Sequence, residues 1–214
     1  MVELLALADE LFLISHDLQT GKTRLSDPGL GIALASALLA ELLYADSLII
    51  SQGMLRLGYA DPPPERLTEA LYEQTQNQLF SQDVSVREWL ATHRRQVLEL
   101  VADRLIRARV LQREVVRRLG RSSIRYLPRK PSETFIRTQR LPSYLRNEVE
   151  ISESDVVLAA LVLLLTSSGP GPLELDEAGQ RLLEKQVARV SPQLRELLVI
   201  TEAAILAALR NPKL

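Results

Sequence analysis

The side chains best able to bind a ligand in this 214-residue sequence are arginines, and they are concentrated in one segment. Between Arg94 and Arg146, 15 arginines and lysines stand against four acids, which gives a local charge of +11. Because the net charge is −1, the rest of the chain carries −12. Guanidinium groups bind phosphate and carboxylate oxygens in a two-pronged geometry. The segment therefore predicts binding to an anionic surface, since screened charges act over roughly 8–10 Å.

Three interpretations of this basic segment are open. The first is contact with anionic lipid, because each basic group near such a surface contributes about 1 kcal/mol and interfacial elements mix charged with apolar side chains. The mixed residues are Arg113, Arg117, Arg118, Arg121 and Arg125, together with Val115, Val116, Leu119, Ile124 and Tyr126. The second is nucleic-acid binding, although the segment has few stacking aromatics and no nucleic-acid motif. The third is a solvated face that pairs with the acidic remainder of the chain.

Residues that could carry out catalysis are few. The absence of Cys excludes disulfides, thiolate metal sites and a Cys nucleophile. The two histidines, His16 and His93, have no partner at metal-ligand spacing, and the sequence has no nucleophile elbow, P-loop or dinucleotide-binding motif. The adjacent carboxylates at 9–10 and 176–177 point in different directions on a helix, so neither pair predicts an acid–base dyad. We therefore expect neither an enzyme nor a cofactor or metal site.

Most segments of the sequence show apolar residues at helical spacing, and these predicted helices must position the arginines. The sequence predicts a mainly α, single compact helical domain over residues 1–214, with two short β-hairpins near residues 48–57 and 112–127. We expect helices at 2–16, 30–45, 65–80, 86–109, 134–149, 156–166, 174–189 and 193–210. Pro142 is expected to kink or split the fifth of these helices. The helix at 30–45 is rich in Leu and Ala, which suits a central helix packed on several sides.

Two features bear on location. The first 12 residues contain three acids and no basic leader, so we expect no signal peptide. The longest uninterrupted apolar run, at 156–165, is ten residues long, whereas a spanning helix needs about 20. With the absence of Cys, these features favour a cytoplasmic protein that associates with membranes only peripherally.

Three blocks of the sequence together resemble the Golgi phosphoprotein 3 family. They are LADELFLISHDLQTG at 7–21, GLGIALASALLAELLYADSLII at 29–50 and VADRLIRARVL at 101–111. The intervening PPERLTEAL at 63–71 and the pair Trp89–Leu90 fall in the same order as in the family. The resemblance extends over nearly the whole chain and points to a bacterial or otherwise divergent member.

The resemblance implies a non-enzymatic, peripheral membrane adaptor, because the eukaryotic members bind phosphatidylinositol 4-phosphate and link Golgi membranes to trafficking machinery. The family's four head-group positions align here with Ser26, Ala35, Arg95 and Leu98, and only Arg95 keeps the family's residue. We therefore expect little preference for this phosphoinositide over other anionic lipids. Arg24 and Arg94 are nearby arginines that could contribute to lipid binding.

The family's second hairpin is associated with membrane contact and self-association. In this sequence it corresponds to the hairpin near residues 112–127. The resemblance therefore implies that its arginines contact an anionic membrane or the other copies of a homo-oligomer. These residues are Arg113, Arg117, Arg118, Arg121 and Arg125.

Overall fold

The computed structural model describes residues 5–23, 27–118, 121–147, 149–166, 173 and 175–210. Over these residues the chain is mainly α-helical with two small antiparallel sheets of two strands each, which confirms the predicted fold class. The elements are α1 (Leu7–Ser15), α2 (Asp27–Tyr44), β1 (Leu48–Ser51), β2 (Met54–Leu57), α3 (Arg66–Leu79), α4 (Val86–His93), α5 (Val97–Arg107), β3 (Leu111–Arg118), β4 (Arg121–Pro128), α6 (Pro131–Arg146), α7 (Glu153–Thr166), α8 (Glu177–Val187) and α9 (Pro192–Arg210).

α2 is the central helix, as its Leu- and Ala-rich sequence predicts. It packs against α1, α3, α4, α5, α7 and α9, and its residues from 29 to 40 are all buried. Small residues permit this close packing: a Cβ at Gly31 would clash with the backbone carbonyl oxygen of Arg94. The one hydroxyl inside this stretch, on Ser36, is hydrogen-bonded to Thr201 of α9, so it is buried without losing its partner.

The first hairpin, β1–β2, occupies residues 48–57 as predicted. Gln52 and Gly53 form its two-residue turn, and both have positive φ (53° and 74°), which suits the twist of a tight hairpin. Its backbone is fastened to the start of α9. Ile50 N–H donates to Gln193 Oε1 at 2.8 Å, and Gly53 N–H donates to the Glu196 carboxylate. This hairpin is thus part of the body of the domain.

The second hairpin, β3–β4, is attached to the body only at its base over the residues described. It pairs from Leu111↔Pro128 to Arg118↔Arg121, which confirms the hairpin predicted near 112–127. At the base, Leu111 and Tyr126 are buried, and the Tyr126 ring packs edge-on against Phe12 at 5.5 Å. The α1–α2 loop runs along the outer edge of β4, where Tyr126 N–H donates to Gly21 O at 3.2 Å. Further out, most side chains are exposed on both faces.

The single long helix predicted at 86–109 is wrong. The chain forms α4 and α5, with a turn at residues 94–96 between them. Buried residues continue at helical spacing through the turn, from His93 to Val97 and Val101, so periodicity alone could not reveal the break. The two halves pack differently: α4 lies against α2 and α9, whereas α5 lies against α1, α2, α3 and β3. Because of the turn, residues of one apolar stripe pack against both sets of neighbouring elements.

α6 also differs from its predicted form. It begins at Pro131 rather than at residue 134. The proline lies in the first turn, where a backbone N–H has no acceptor within the helix, so its absence costs no hydrogen bond. The helix continues without a break through Pro142, so the predicted split does not occur. Leu141 and Leu145 are buried on either side of the proline and hold both parts of the helix on the core. Further along the chain, the sequence Gly-Pro-Gly-Pro at 169–172 predicts a turn, and these residues lie outside the described part of the structure.

Candidate functional site

Arg104, from the basic segment, is buried among carboxylates instead of facing solvent. Its Nε donates to Asp9 Oδ1 at 2.8 Å. Its Nη1 donates to Glu41 Oε2 at 2.8 Å and to Glu65 Oε2 at 3.3 Å, and its Nη2 donates to Glu41 Oε1 at 3.1 Å. Glu41 Oε1 also accepts a hydrogen bond from Ala8 N–H at 2.9 Å. This N–H is in the first turn of α1 and has no acceptor within the helix. One guanidinium thereby joins α1, α2, α5 and the start of α3.

Burial and neighbouring charges shift the pKa values of Asp9 and Arg104 in this cluster. Burial raises the pKa of Asp9 from its ordinary 3.8 to about 6, although the positive charge of Arg104 acts to lower it. Burial acts to lower the pKa of Arg104, but its bonds to Glu41 and Asp9 together outweigh that effect and raise the pKa. Arg104 therefore stays charged, whereas burial moves the pKa of Asp9 toward neutrality.

Arg140 forms a second cluster. Its Nη1 and Nη2 make a two-pronged contact with Asp155, at 2.8 Å and 2.6 Å, and Nη2 also donates to Glu10 Oε2 at 2.7 Å. The bonds to Asp155 are the main cause of a raised pKa for Arg140. Burial raises the pKa of Glu10, and the charge of Arg140 opposes this rise. Arg140 joins α6 to α1 and α7.

A cavity of about 360 Å³ lies between the two clusters. Glu10, Glu41 and Asp155 line it with both guanidinium groups, and Leu7 and Leu158 provide apolar wall. Five carboxylates contact the two guanidiniums, so the arginines are neutralised and the surroundings stay negative. This cavity therefore cannot bind a phosphate group well. The charged side chains of this cavity hold helices together. The remaining arginines are therefore the candidates for binding an anion.

Sequence reasoning did not single out Arg104 or Arg140. Their partners Asp9 and Glu10 are 95 and 130 residues away in the chain, so no local spacing could reveal the pairs. For these two arginines the predicted pairing with the acidic remainder is observed, but they do not form a solvated face, because Arg104 is buried and Arg140 is half-buried. As predicted, the adjacent carboxylates Asp9 and Glu10 do not form a dyad, because each binds a different arginine.

The residues proposed for the lipid head group lie around the α4–α5 turn, as far as the structure describes them. Arg95 is exposed and Arg94 is half-buried there, and the turn meets the beginning of α2 at Gly31. Arg24 lies outside the described residues, as does Ser26. Two other family positions bear no charge: Ala35 is fully buried in α2, and Leu98 is half-buried at the start of α5.

The arginines of the second hairpin do not form one ribbon. Arg113, Val115 and Arg117 alternate along one face of β3, and the residue opposite Val115 is Ile124 of β4. Both arginines are exposed, and the apolar pair between them is 56% and 41% exposed. This face continues the one that carries the buried Tyr126, but it extends beyond the body of the domain.

The other three hairpin arginines are placed differently. Arg125 stands opposite Glu114, is half-buried, and has its Cβ next to the α1–α2 loop at Gly21. Arg118 and Arg121 form the last backbone pair before the turn, and their side chains lie outside what the structure describes. Among the described side chains of the hairpin, Arg113 and Arg117 therefore provide the exposed positive charge, while the exposed Glu114 lies on the opposite face.

The two histidines have structural partners. The His16 ring stacks on Phe12 with centroids 3.9 Å apart, and its Nδ1 lies 2.7 Å from Phe12 O. The His93 ring stacks on Trp89, its Nδ1 lies 2.8 Å from Trp89 O, and burial lowers its pKa. Across the described part of the chain, no group of three His, Asp or Glu side chains is placed to hold a metal ion. Among the helices that the structure describes, none is long and apolar enough to cross a bilayer.

The fold and this surface define a class: a mainly helical domain with a fastened first hairpin, a protruding basic second hairpin and arginines at a helix–helix turn. The sequence model of the Golgi phosphoprotein 3 (GPP34) family matches residues 7–208. The chain belongs to the Golgi phosphoprotein 3 family, as its three sequence blocks predict. This family is not a known enzyme family. A comparison with curated proteins found no match.

Proposed function

We propose that this protein binds anionic phospholipid at a membrane surface, as a cytoplasmic, non-enzymatic peripheral adaptor. The observation that carries the proposal is the outer face of β3–β4. There Arg113 and Arg117 flank the exposed pair Val115 and Ile124, away from the body of the domain. An element that combines cations with apolar side chains suits the boundary between head groups and acyl chains, where both kinds of side chain find partners.

The arginines around the α4–α5 turn are the second part of the proposed surface. Arg95 is exposed, and Arg94 is held near the start of α2. Since Ala35 and Leu98 provide no charge at the family's other head-group positions, the lipid is recognised by its negative charge more than by a particular head group. Vesicles with phosphatidylinositol 4-phosphate should then bind no more strongly than vesicles with phosphatidylserine at equal surface charge.

The experiment is co-sedimentation with vesicles of phosphatidylcholine, with and without 30% or so phosphatidylserine, over a range of salt concentration. We expect binding only to the anionic vesicles, and we expect it to weaken as salt rises. The double variant Arg113→Glu/Arg117→Glu should lower the partition coefficient by about 30-fold or more, since each lost basic group accounts for about 1 kcal/mol. Equal binding to neutral vesicles, or no binding to either, would overturn the proposal.

The matched control is Arg66→Glu/Arg181→Glu, which reverses two exposed charges on α3 and α8. It changes the net charge equally but should leave sedimentation close to that of the parent. Duplex and single-stranded oligonucleotides are tested at the same salt, and binding to them in preference to vesicles would favour a nucleic acid as the partner. Gel filtration of the same variants tests self-association: if Arg113→Glu/Arg117→Glu changes the oligomeric state instead of lipid binding, the hairpin contacts another copy.

A further inference from the structure

The exposed large apolar side chains are concentrated in the basic part of the chain. Among the described residues, five of the eleven lie between positions 94 and 146, which is about a quarter of the chain. Two of them, Val115 and Ile124, belong to the second hairpin. Two more, Phe135 and Ile136, are adjacent on α6 and are 57% and 71% exposed. The α6 pair has no role in the surface described above.

The geometry of α6 sets this pair on its outer side. The helix faces the core through Thr134, Leu141 and Leu145, which are all buried. At 100° per residue, Ile136 points almost directly away from that buried stripe, and Phe135 lies at its flank. The rest of the outer stripe is polar and ends in a cation: Ser132, Gln139, Ser143 and Arg146. Tyr144, the other exposed apolar side chain of α6, lies on the opposite flank, with the guanidinium of Arg140 5.8 Å from its ring.

This face adjoins the second hairpin. Two residues separate the end of β4 from the start of α6. The α1–α2 loop lies between them: Gly21 pairs with Tyr126 of β4, while residues 17–19 enclose a cavity of about 280 Å³ with Phe135, Thr138 and Gln139. β4, the loop and the first half of α6 therefore form one continuous surface.

The charge around the α6 pair indicates what it meets. Arg129 and Lys130 are exposed immediately before the helix, and Arg146 is exposed at its end. Two acids lie near the pair: Glu133 of α6 forms an ion pair with Lys130 at 2.9 Å, and Asp17 of the α1–α2 loop accepts hydrogen bonds from backbone N–H groups of its own loop. A partner that covers this surface must be anionic and also accept two apolar side chains. A membrane with anionic head groups satisfies both conditions.

We infer that Phe135 and Ile136 on α6 form a second membrane anchor, which enters the head-group region of an anionic bilayer beside the hairpin. The inference rests on the proposed function, because it requires the protein to bind membranes. It adds a contact that is apolar and therefore little affected by salt. An amphipathic surface helix of this kind is buried to a depth of about 5–10 Å.

The test uses tryptophan as a depth probe. The natural Trp89 is buried and hydrogen-bonded to Thr75, so it provides a constant background. Phe135→Trp is mixed with phosphatidylserine-containing vesicles whose phosphatidylcholine bears bromine on the acyl chains, which quenches nearby indoles. Phe80→Trp is the matched control, since Phe80 is 74% exposed at the end of α3. We expect the added fluorescence to be quenched and shifted to the blue in Phe135→Trp, and unchanged in Phe80→Trp.

Co-sedimentation of the same samples separates this inference from the proposed function. If Phe135→Trp sediments with vesicles but is not quenched, the α6 anchor is overturned while membrane binding stands. If no variant sediments, both fail. A blue shift that depends on protein concentration in the absence of vesicles would show that a second copy covers this face, which also overturns the inference.

A second variant measures the contribution of the anchor. Phe135→Ser/Ile136→Ser removes two exposed side chains, so the fold should be retained, as far-ultraviolet circular dichroism can verify. We expect its partition onto phosphatidylserine vesicles to fall by roughly tenfold or more, with the salt dependence unchanged. Parent-like partition would overturn the anchor.

Discussion

Arg104 donates to Asp9 across a distance of 2.8 Å, although 95 residues separate the two in the chain. The contact joins α5 to α1 and shows that part of the basic segment is used inside the domain. Since both side chains are buried, the pair stabilises the fold only as long as both partners are present. The arginines left on the surface, among them Arg95, Arg113 and Arg117, are then the ones available to an external anion.

The first prediction concerns the removal of Arg104. The substitution Arg104→Ala leaves Asp9, Glu41 and Glu65 together without a cation. We expect the free energy of unfolding, measured by urea denaturation, to fall by about 3–5 kcal/mol, as found when one partner of a buried ion pair is removed. The control is Arg107→Ala, at an exposed position one turn further along α5, which should change the free energy by no more than about 0.5 kcal/mol. Equal effects of the two variants would contradict a structural role for Arg104.

The second prediction concerns pH. The pKa of Asp9 in the folded protein, about 6, lies above its ordinary 3.8, so between these values the folded state binds the proton more tightly than the unfolded chain. The stabilisation from this proton is fully present below about pH 4 and is lost as the pH rises through about 6. Asp9→Asn keeps the position neutral throughout. The free energy of unfolding of the parent minus that of the variant should therefore decrease from about pH 4.5 to about pH 7.

The measurement is urea denaturation of both proteins at several pH values in this range. The decrease over this range should amount to about 2 kcal/mol, because one unit of pKa corresponds to about 1.4 kcal/mol and part of the effect is already lost at about pH 4.5. A difference that instead increases with pH would mean that the attraction of Arg104 outweighs burial, and that the pKa of Asp9 is lowered in the folded state.

The third prediction concerns the contact between α2 and the α4–α5 turn. A Cβ at Gly31 would clash with the backbone carbonyl oxygen of Arg94, so Gly31→Ala must displace the turn or the helix. We expect a loss of about 1–3 kcal/mol in thermal or urea unfolding, the usual range for overpacking. At Gly179 on α8 the nearest atom to an added Cβ is a side-chain oxygen of Asp176 at 3.2 Å, so Gly179→Ala should be milder. A parent-like Gly31→Ala would show that this approach is looser than described.

The fourth prediction separates the two components of the hairpin surface. Val115→Ser/Ile124→Ser removes the exposed apolar pair and leaves both flanking arginines in place. We expect weaker binding to phosphatidylserine vesicles at every salt concentration, with an unchanged slope of log partition against log salt. Arg113→Glu/Arg117→Glu should instead reduce that slope, because fewer charges contact the surface. If the serine variant binds like the parent at all salt concentrations, the apolar pair does not enter the membrane.

Several parts of this structure follow from the sequence alone, because they depend on neighbours in the chain. Alternating and helical spacing of apolar residues predicts the mainly α fold and both hairpins, and a turn such as Gln52–Gly53 needs only residues that accept positive φ. The capping box of Ser85 with Glu88 is likewise made within four residues. The same local patterns of apolar and small residues point to the family, since they reflect how α2 packs.

The tertiary structure alone decided which charges are buried and which are exposed. Arg104 and Arg113 have the same side chain in the same basic segment, yet one lies among carboxylates from distant helices and the other on a protruding strand. The break between α4 and α5 is equally invisible locally, since the buried spacing from His93 to Val97 continues through it. The reason is physical: the charge state and exposure of a side chain depend on everything within several ångströms of it. Arg104 binds Asp9, which is 95 residues away in the chain, and Arg140 binds Glu10, which is 130 residues away.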